Sequence, residues 1–219
     1  MSDTDVFREV DEEVRREQLK KLWERYQYLV YAVVTVILLG VGGWRGYEWW
    51  QTKRSLETGA AFEEAMSLSD SGKHAGSEAA YGKIAVEGAA GYRGLARLRE
   101  AAEIADRDPA GAIAAYETIA ADGSVGLDLQ DLAALRAGAL QIDASAFDKA
   151  RAQLEPLIGR ERPYRHAARE LLALAAWRSG NATEARRWFD LIVTDAETPP
   201  AIRSRVEMLL SLVAAEGKG

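Results

Sequence analysis

The chain has 219 residues, enough for one sizeable domain or two small ones, and its hydrophobic share of 48% is ordinary for a protein that packs a core. Its net charge of -6, from 34 acidic and 28 basic residues, disfavours nucleic acid as a partner because negative charge repels the phosphate backbone. Cysteine is absent, which excludes disulfides, thiolate metal sites and thiol catalysis but leaves the cellular compartment open.

Residues 1–27 are rich in charge, and we predict that they form a helical tail. The apolar residues of this tail follow one side of a helix only unevenly, at Phe7, Val10, Val14, Leu19, Leu22 and Trp23. Such a pattern is typical of a solvated helix that leads into a membrane. Binding of the tail to the membrane surface or to a partner helix is the alternative interpretation.

The most apolar part of the chain predicts a transmembrane anchor over residues 28–50. No charged residue occurs from Gln27 to Trp44, and a helix rising about 1.5 Å per residue spans a hydrocarbon core of roughly 30 Å within this segment. Aromatic rings favour the headgroup layer, and they lie at both ends of the segment, at Tyr26, Tyr28, Trp44, Tyr47, Trp49 and Trp50. A cleaved signal peptide and a buried core helix are the two alternatives.

The basic residues around this segment predict its orientation. Five lie shortly before it, against three shortly after it: Arg15, Arg16, Lys20, Lys21 and Arg25, then Arg45, Lys53 and Arg54. Because basic residues stay on the cytoplasmic side, we expect a cytoplasmic N-terminus and residues 51–219 on the far side. In a bacterium this describes a single-pass protein of the inner membrane with a periplasmic domain.

Beyond Thr52 the sequence is helical in pattern throughout, and one signature recurs. It consists of a small residue, a large apolar residue four positions later and an aliphatic residue three positions after that. The four copies begin 35, 38 and 35 residues apart, close to the 34 of a tetratricopeptide repeat, and they are Ser77-Tyr81-Ile84, Ala112-Tyr116-Ile119, Ala150-Leu154-Leu157 and Ala185-Phe189-Ile192. Each copy places its three residues on one face of a helix B that packs against a helix A.

The turns between these helices carry recognisable end signals. Asp108 and Pro109 suit the N-cap and first position of a helix, so Asp106 and Asp108 are expected to be structural rather than catalytic. The last repeat is the best formed, with helix A over 167–179, a turn at Gly180-Asn181 and helix B over 183–194. The Pro199-Pro200 pair then predicts a stop before a final helix over 202–215, which caps the stack.

Taken together, these patterns predict an all-α protein. Its single N-terminal transmembrane helix is followed by a tetratricopeptide-like α-solenoid of about four helix pairs and a C-terminal capping helix. Such stacks bind proteins on a concave surface, for which Glu170, Trp177 and Arg178 are our candidates. The alternative for Trp177 is that it packs inside the stack.

No catalytic, cofactor or metal site is predicted, and we therefore expect a non-enzymatic protein. The two histidines, His74 and His166, form no metal or nucleophile pattern and are expected at the surface. Gly40, Gly42 and Gly43 lie inside the apolar segment and lack the Lys-Ser/Thr that a phosphate loop requires.

The chain resembles the YfgM-type family, ancillary subunits of the SecYEG translocon, and in particular its alphaproteobacterial tetratricopeptide-like branch. The resemblance covers most of the chain and rests on the stretches Phe7–Glu13, Leu19–Trp23, Trp44–Trp50, Ala96–Ala101 and Pro199–Arg203. It implies an inner-membrane protein at the Sec translocon whose periplasmic repeats contact exported chains or periplasmic chaperones. A structural scaffold that coordinates cell-envelope or division complexes is the alternative function.

Overall fold

The computed structural model describes residues 3–216, without the side chains of residues 3–15, 17–19, 22, 30 and 212–216. Over residues 3–216 the chain is helical and contains no strand. The helices of this range are α1 (Asp3–Asp70), α2 (His74–Glu87), α3 (Ala90–Ile104), α4 (Pro109–Ala120), α5 (Leu127–Asp143), α6 (Phe147–Leu154), α7 (Arg165–Arg178), α8 (Ala182–Thr194) and α9 (Pro200–Glu216). The predicted apolar positions of the tail at Phe7, Val10, Val14, Leu19 and Leu22 lie outside the described side chains.

The chain divides into two compact units, Met1–Lys53 and Arg54–Gly219. The apolar segment lies in the part of α1 that belongs to the first unit. Within the described residues, the helical stretch Trp23–Asp70, which continues into the second unit, is long and apolar enough to cross a membrane. Its aliphatic side chains are exposed, with Leu38 at 66% and Leu39 at 72%. A core helix would bury these side chains, so this alternative does not fit the structure.

The second unit is a stack of helix pairs, and we call it the repeat unit. All twelve residues of the four signatures are buried, none of them more than 5% exposed. Even the polar member, Ser77, is satisfied in the core, because its hydroxyl donates a hydrogen bond of 2.9 Å to the Ala65 carbonyl. The predicted repeats are therefore confirmed at the residues that defined them.

One helix B is shorter than the signature predicts. The third copy ends on Leu157, but α6 ends at Leu154 and Leu157 lies in a 3-10 turn over Glu155–Leu157. Pro156 explains the break, since proline has no backbone N–H to continue the α-helix. Leu157 still reaches the core, where it is 3% exposed.

The predicted helix ends are largely confirmed. The carboxylate of Asp108 accepts a hydrogen bond of 2.9 Å from the Gly111 N–H, directly before Pro109. Asn181 caps α8 in the same way, and Gly180 supplies the left-handed turn with φ +84°. Pro200 does not lie in the break before the final helix, as predicted from the Pro199-Pro200 pair. It is instead the first residue of α9, a position that suits its fixed φ.

The core runs through the repeat unit as three clusters that share helices. The first joins α1, α2 and α3 around Tyr81, and the second joins α3, α4 and α5 around Tyr116. The third and largest surrounds Leu154 and Phe189 and includes residues from α5 to α9. Each repeat therefore buries its apolar face against its neighbours, as stacked repeats require.

Candidate interaction surface

The helices of the repeat unit fall into two alternating sets. Helices A are residues 54–70 of α1, then α3, α5, α7 and α9, and helices B are α2, α4, α6 and α8. Each helix B contacts the helix A that follows it, while helices A also contact one another across repeats, α3 with α5, α5 with α7 and α7 with α9. Helices A therefore form a layer in which side chains of successive repeats lie side by side.

Positions 35 residues apart occupy equivalent places in the last three helices A. Two hydrogen-bonded ion pairs demonstrate this register, because Arg205 bonds Glu170 and Arg178 bonds Asp143. The same register aligns rows of residues across α5, α7 and α9. We call these rows the A face: Leu135, Glu170 and Arg205; Ala139, Leu174 and Leu209; Ile142 and Trp177; Asp143 and Arg178.

Glu170, a predicted partner-binding residue, is 7% exposed on α7. Both of its carboxylate oxygens accept hydrogen bonds from Arg205, from Nε to Oε1 and from Nη2 to Oε2, the latter at 2.7 Å. This bidentate contact raises the pKa of Arg205. The pair joins α7 to the capping helix α9, so Glu170 has a structural partner within the chain.

Trp177 and Arg178, the other two predicted residues, lie at the end of α7. Trp177 is half-buried and packs against the core cluster around Phe189. Arg178 is exposed, and its Nη1 donates a hydrogen bond of 2.7 Å to Asp143 on α5. The structure thus places a partly buried aromatic side chain next to an exposed ion pair. Their role in partner binding stays a prediction.

Arginine side chains on helices A form ion pairs with carboxylates of neighbouring elements. Arg97 on α3 pairs with Asp122 at 2.5 Å, and Arg169 on α7 pairs with Asp195 at 2.8 Å. The pairing with Arg97 and the hydrogen bonds from Ser124 lower the pKa of Asp122 to about 2, with the Ser124 hydroxyl contributing most. Much of the charge on this layer is therefore neutralised within the chain.

Asp143 and Arg205 also belong to this surface, although they were not among the predicted residues. Both were detectable, because each lies 35 residues from a predicted residue of opposite charge. A search for complementary charges at the repeat period would have identified both pairs. The half-buried Leu135, Leu174 and Leu209 were harder to identify, since apolar residues also fill the core.

No metal site is found among the described residues, where no group of three or more carboxylate or histidine side chains converges. His74 is exposed, as predicted, and its Nδ1 lies 2.8 Å from Glu103. His166 contradicts the prediction because it is 6% exposed at the start of α7. It interacts with the loop between α8 and α9, which folds over it.

The hydrogen bonds around His166 define its tautomer. Thr198 donates its hydroxyl proton to the Ile192 carbonyl at 2.7 Å, so its oxygen accepts from Nδ1 of His166 at 3.1 Å. Nε2 is then the unprotonated nitrogen, and it is buried without a hydrogen-bond partner among the described residues. Burial, with Arg165 and Arg169 nearby, lowers the pKa of His166 against the opposing effect of Asp195 and Glu197.

We expect His166 to make the repeat unit less stable in mild acid. The folded state favours neutral His166, while the unfolded chain takes up a proton below about pH 6.5. Stability should therefore be lost as the pH falls below this value. Urea titrations between pH 7.5 and 5 are expected to show a shallower pH slope for His166→Gln than for the wild type. His74→Gln is the control variant. If the pH dependence of stability disappeared in this variant instead, His166 would not be its source.

Comparison with known protein families gives a match. The model of a family described as "Tetratricopeptide repeat-like domain" matches residues 20–214, which is most of the chain. No curated protein and no solved structure matches the chain. The matched range includes all four signatures and nearly all of α9.

Proposed function

The chain belongs to the tetratricopeptide repeat-like family, and on that premise we propose that it is a membrane-anchored, non-enzymatic adaptor that holds other proteins. Domains of this family mediate protein–protein interactions and are typically not catalytic. The A face is the surface that supports this function best, because it combines a half-buried tryptophan with neutralised ion pairs. Aromatic and arginine side chains of this kind commonly dominate protein interfaces.

We propose further that residues 28–50 anchor the protein in a bacterial inner membrane. Residues 1–27 would then be the cytoplasmic tail and residues 51–219 the periplasmic repeat domain. The exposed apolar side chains of α1 and the basic residues before them support this topology. Lys53, whose ammonium lies 5.5 Å from the Trp49 ring centroid, and the aromatic residues around it suit a membrane interface.

We propose the Sec translocon as the site of action. The resemblance to the YfgM-type subunits supports this proposal, as does an adaptor surface linked to a single membrane helix. Exported chains or periplasmic chaperones are then the partners of the A face, with Glu170, Trp177 and Arg178 as its binding residues. In this arrangement Glu170 positions Arg205, while Trp177 and Arg178 are the groups that a partner can touch.

Photocrosslinking in intact cells tests the proposal. A photoreactive residue at Arg45 is expected to capture translocon subunits, and one at Trp177 is expected to capture exported chains or chaperones. Leu191 is the matched control position, because it is 45% exposed and lies on α8, a helix B outside the A face. A photoreactive residue there should capture neither translocon subunits nor exported chains or chaperones. Mass spectrometry identifies the adducts. If Trp177 and Leu191 captured the same proteins, the A face would not be the specific binding surface. A single envelope or division complex at both Arg45 and Trp177 would favour the scaffold function instead.

A further inference from the structure

A cleft of about 500 Å³ lies between α1 and α2 in the first repeat. Its lining includes the small and aliphatic side chains of Thr58, Ala61, Leu68, Ala80 and Ile84. The cleft lies within the repeat unit. Of its lining residues, Thr58 is buried in the first repeat, and Ile84 belongs to the signature triplet of α2.

Comparison of equivalent residues in successive repeats explains why the cleft exists. Ala61, Ala96 and Ala134 each precede the small residue of their signature by 16 positions. Ala96 is 0% exposed and Ala134 is 6% exposed, since each lies on a helix A that follows a helix B. Ala61 is only partly buried, because no helix B precedes residues 54–70 in the repeat unit. The cleft therefore lies where the stack would place one more helix.

The charged side chains around the cleft have a small negative excess. Three carboxylates line it, Glu57 and Glu64 on α1 and Glu87 on α2, against the cations Arg54 and Lys83. Arg54 donates a hydrogen bond of 3.0 Å to the backbone carbonyl of Glu87, across the end of the cleft. Glu57 and Glu64 are seven residues apart and so lie on the same side of α1, two turns from each other. Ala61 and Leu68 lie on that same side, so acidic and apolar side chains alternate along this wall of the cleft.

We propose that this cleft binds an amphipathic α-helix of a partner protein, apolar on one side and basic along its flanks. A helix is the ligand because the cleft has the place of a missing helix B, and helices dock in such grooves through residues spaced three and four apart. Basic flanks complement Glu57, Glu64 and Glu87. This site is distinct from the A face and depends neither on the translocon nor on the membrane anchor.

Binding of a synthetic helix to the full-length protein in detergent tests the inference. The probe is a fluorescent 14-residue peptide with leucines on one face and lysines beside them, and a second peptide carries glutamates in place of the lysines. By fluorescence anisotropy the lysine peptide is expected to bind and the glutamate peptide is not. Glu64→Lys should weaken binding of the lysine peptide by roughly tenfold, because it replaces an attraction with a repulsion. Glu63→Lys, on the neighbouring exposed position outside the cleft, should change it less than about twofold.

A second variant fills the cleft itself. Ala61→Trp should abolish binding, with circular dichroism confirming that the variant is folded. Because the chain has no cysteine, Ala80→Cys also gives a unique thiol that should form a disulfide with a cysteine placed among the peptide leucines. Equal weakening by Glu63→Lys and Glu64→Lys, or equal binding of the two peptides, would overturn the proposal. So would an Ala80→Cys disulfide between two copies of the chain without peptide, since a second copy would then be the occupant.

Discussion

Replacing Phe189 with alanine is expected to lower the free energy of unfolding by about 3–5 kcal/mol. Phe189 is 0% exposed at the centre of the largest core cluster, where α7, α8 and α9 meet. Its removal loses the transfer free energy of the ring and leaves a cavity lined by residues of several helices, which cannot all move to fill it. Because each repeat is stabilised by its neighbours, the loss should weaken the whole C-terminal part of the stack.

Urea denaturation of the full-length protein in detergent, followed by helical circular dichroism, measures this loss. Leu191→Ala is the matched control, because Leu191 is on the same helix and is 45% exposed. It should cost less than about 1 kcal/mol, the range of ordinary surface substitutions. Equal losses in the two variants would mean that α8 is not packed on its signature face.

The repeats could be predicted from sequence because their evidence is local and periodic. A triplet such as Ala185, Phe189 and Ile192 fixes one face of one helix, and four copies at one period fix the stack. The exception, the early end of α6 at Leu154, depends on Pro156, whose helix-breaking effect the triplet does not include. Local signals also gave the cap at Asp108 and the turn at Gly180-Asn181.

The parts that sequence analysis missed depend on contacts between distant segments. The burial of His166 follows from the loop after α8, which folds Thr198 over the ring. The burial of Glu170 follows from Arg205, a partner one repeat away. The cleft at Ala61 follows from the lack of a helix B before residues 54–70 in the repeat unit. None of these can be read from the residues nearby in sequence, because a helical pattern fixes a face but not what covers it.

Gly138 has a packing role that the sequence does not reveal. It lies on α5, and a β-carbon at this position would meet Leu154 of α6 at 2.7 Å, closer than side chains approach. Leu154 is 0% exposed within the largest core cluster, where the surrounding side chains restrict its movement. By contrast, a β-carbon at Gly91 on α3 would meet nothing within 4 Å. Packing therefore disfavours a larger residue at position 138 but not at position 91.

Gly138→Ala is expected to destabilise the protein by about 1–3 kcal/mol, although alanine favours helix formation by up to about 1 kcal/mol over glycine. The clash with Leu154 outweighs the gain in propensity because both helices are held by the surrounding core. Gly91→Ala, the control in open space, should be neutral or stabilising by up to about 1 kcal/mol. Urea denaturation of both variants measures the difference in sign.

A double-mutant cycle then tests the cause. Leu154→Ala alone should cost about 2–5 kcal/mol through its cavity, and the methyl group of Gly138→Ala should partly fill that cavity. The double variant is therefore expected to lose less than the sum of the two single losses, by at least about 0.5 kcal/mol. Additive losses would mean that the approach of α5 to α6 at Leu154 is not what limits residue 138 to glycine.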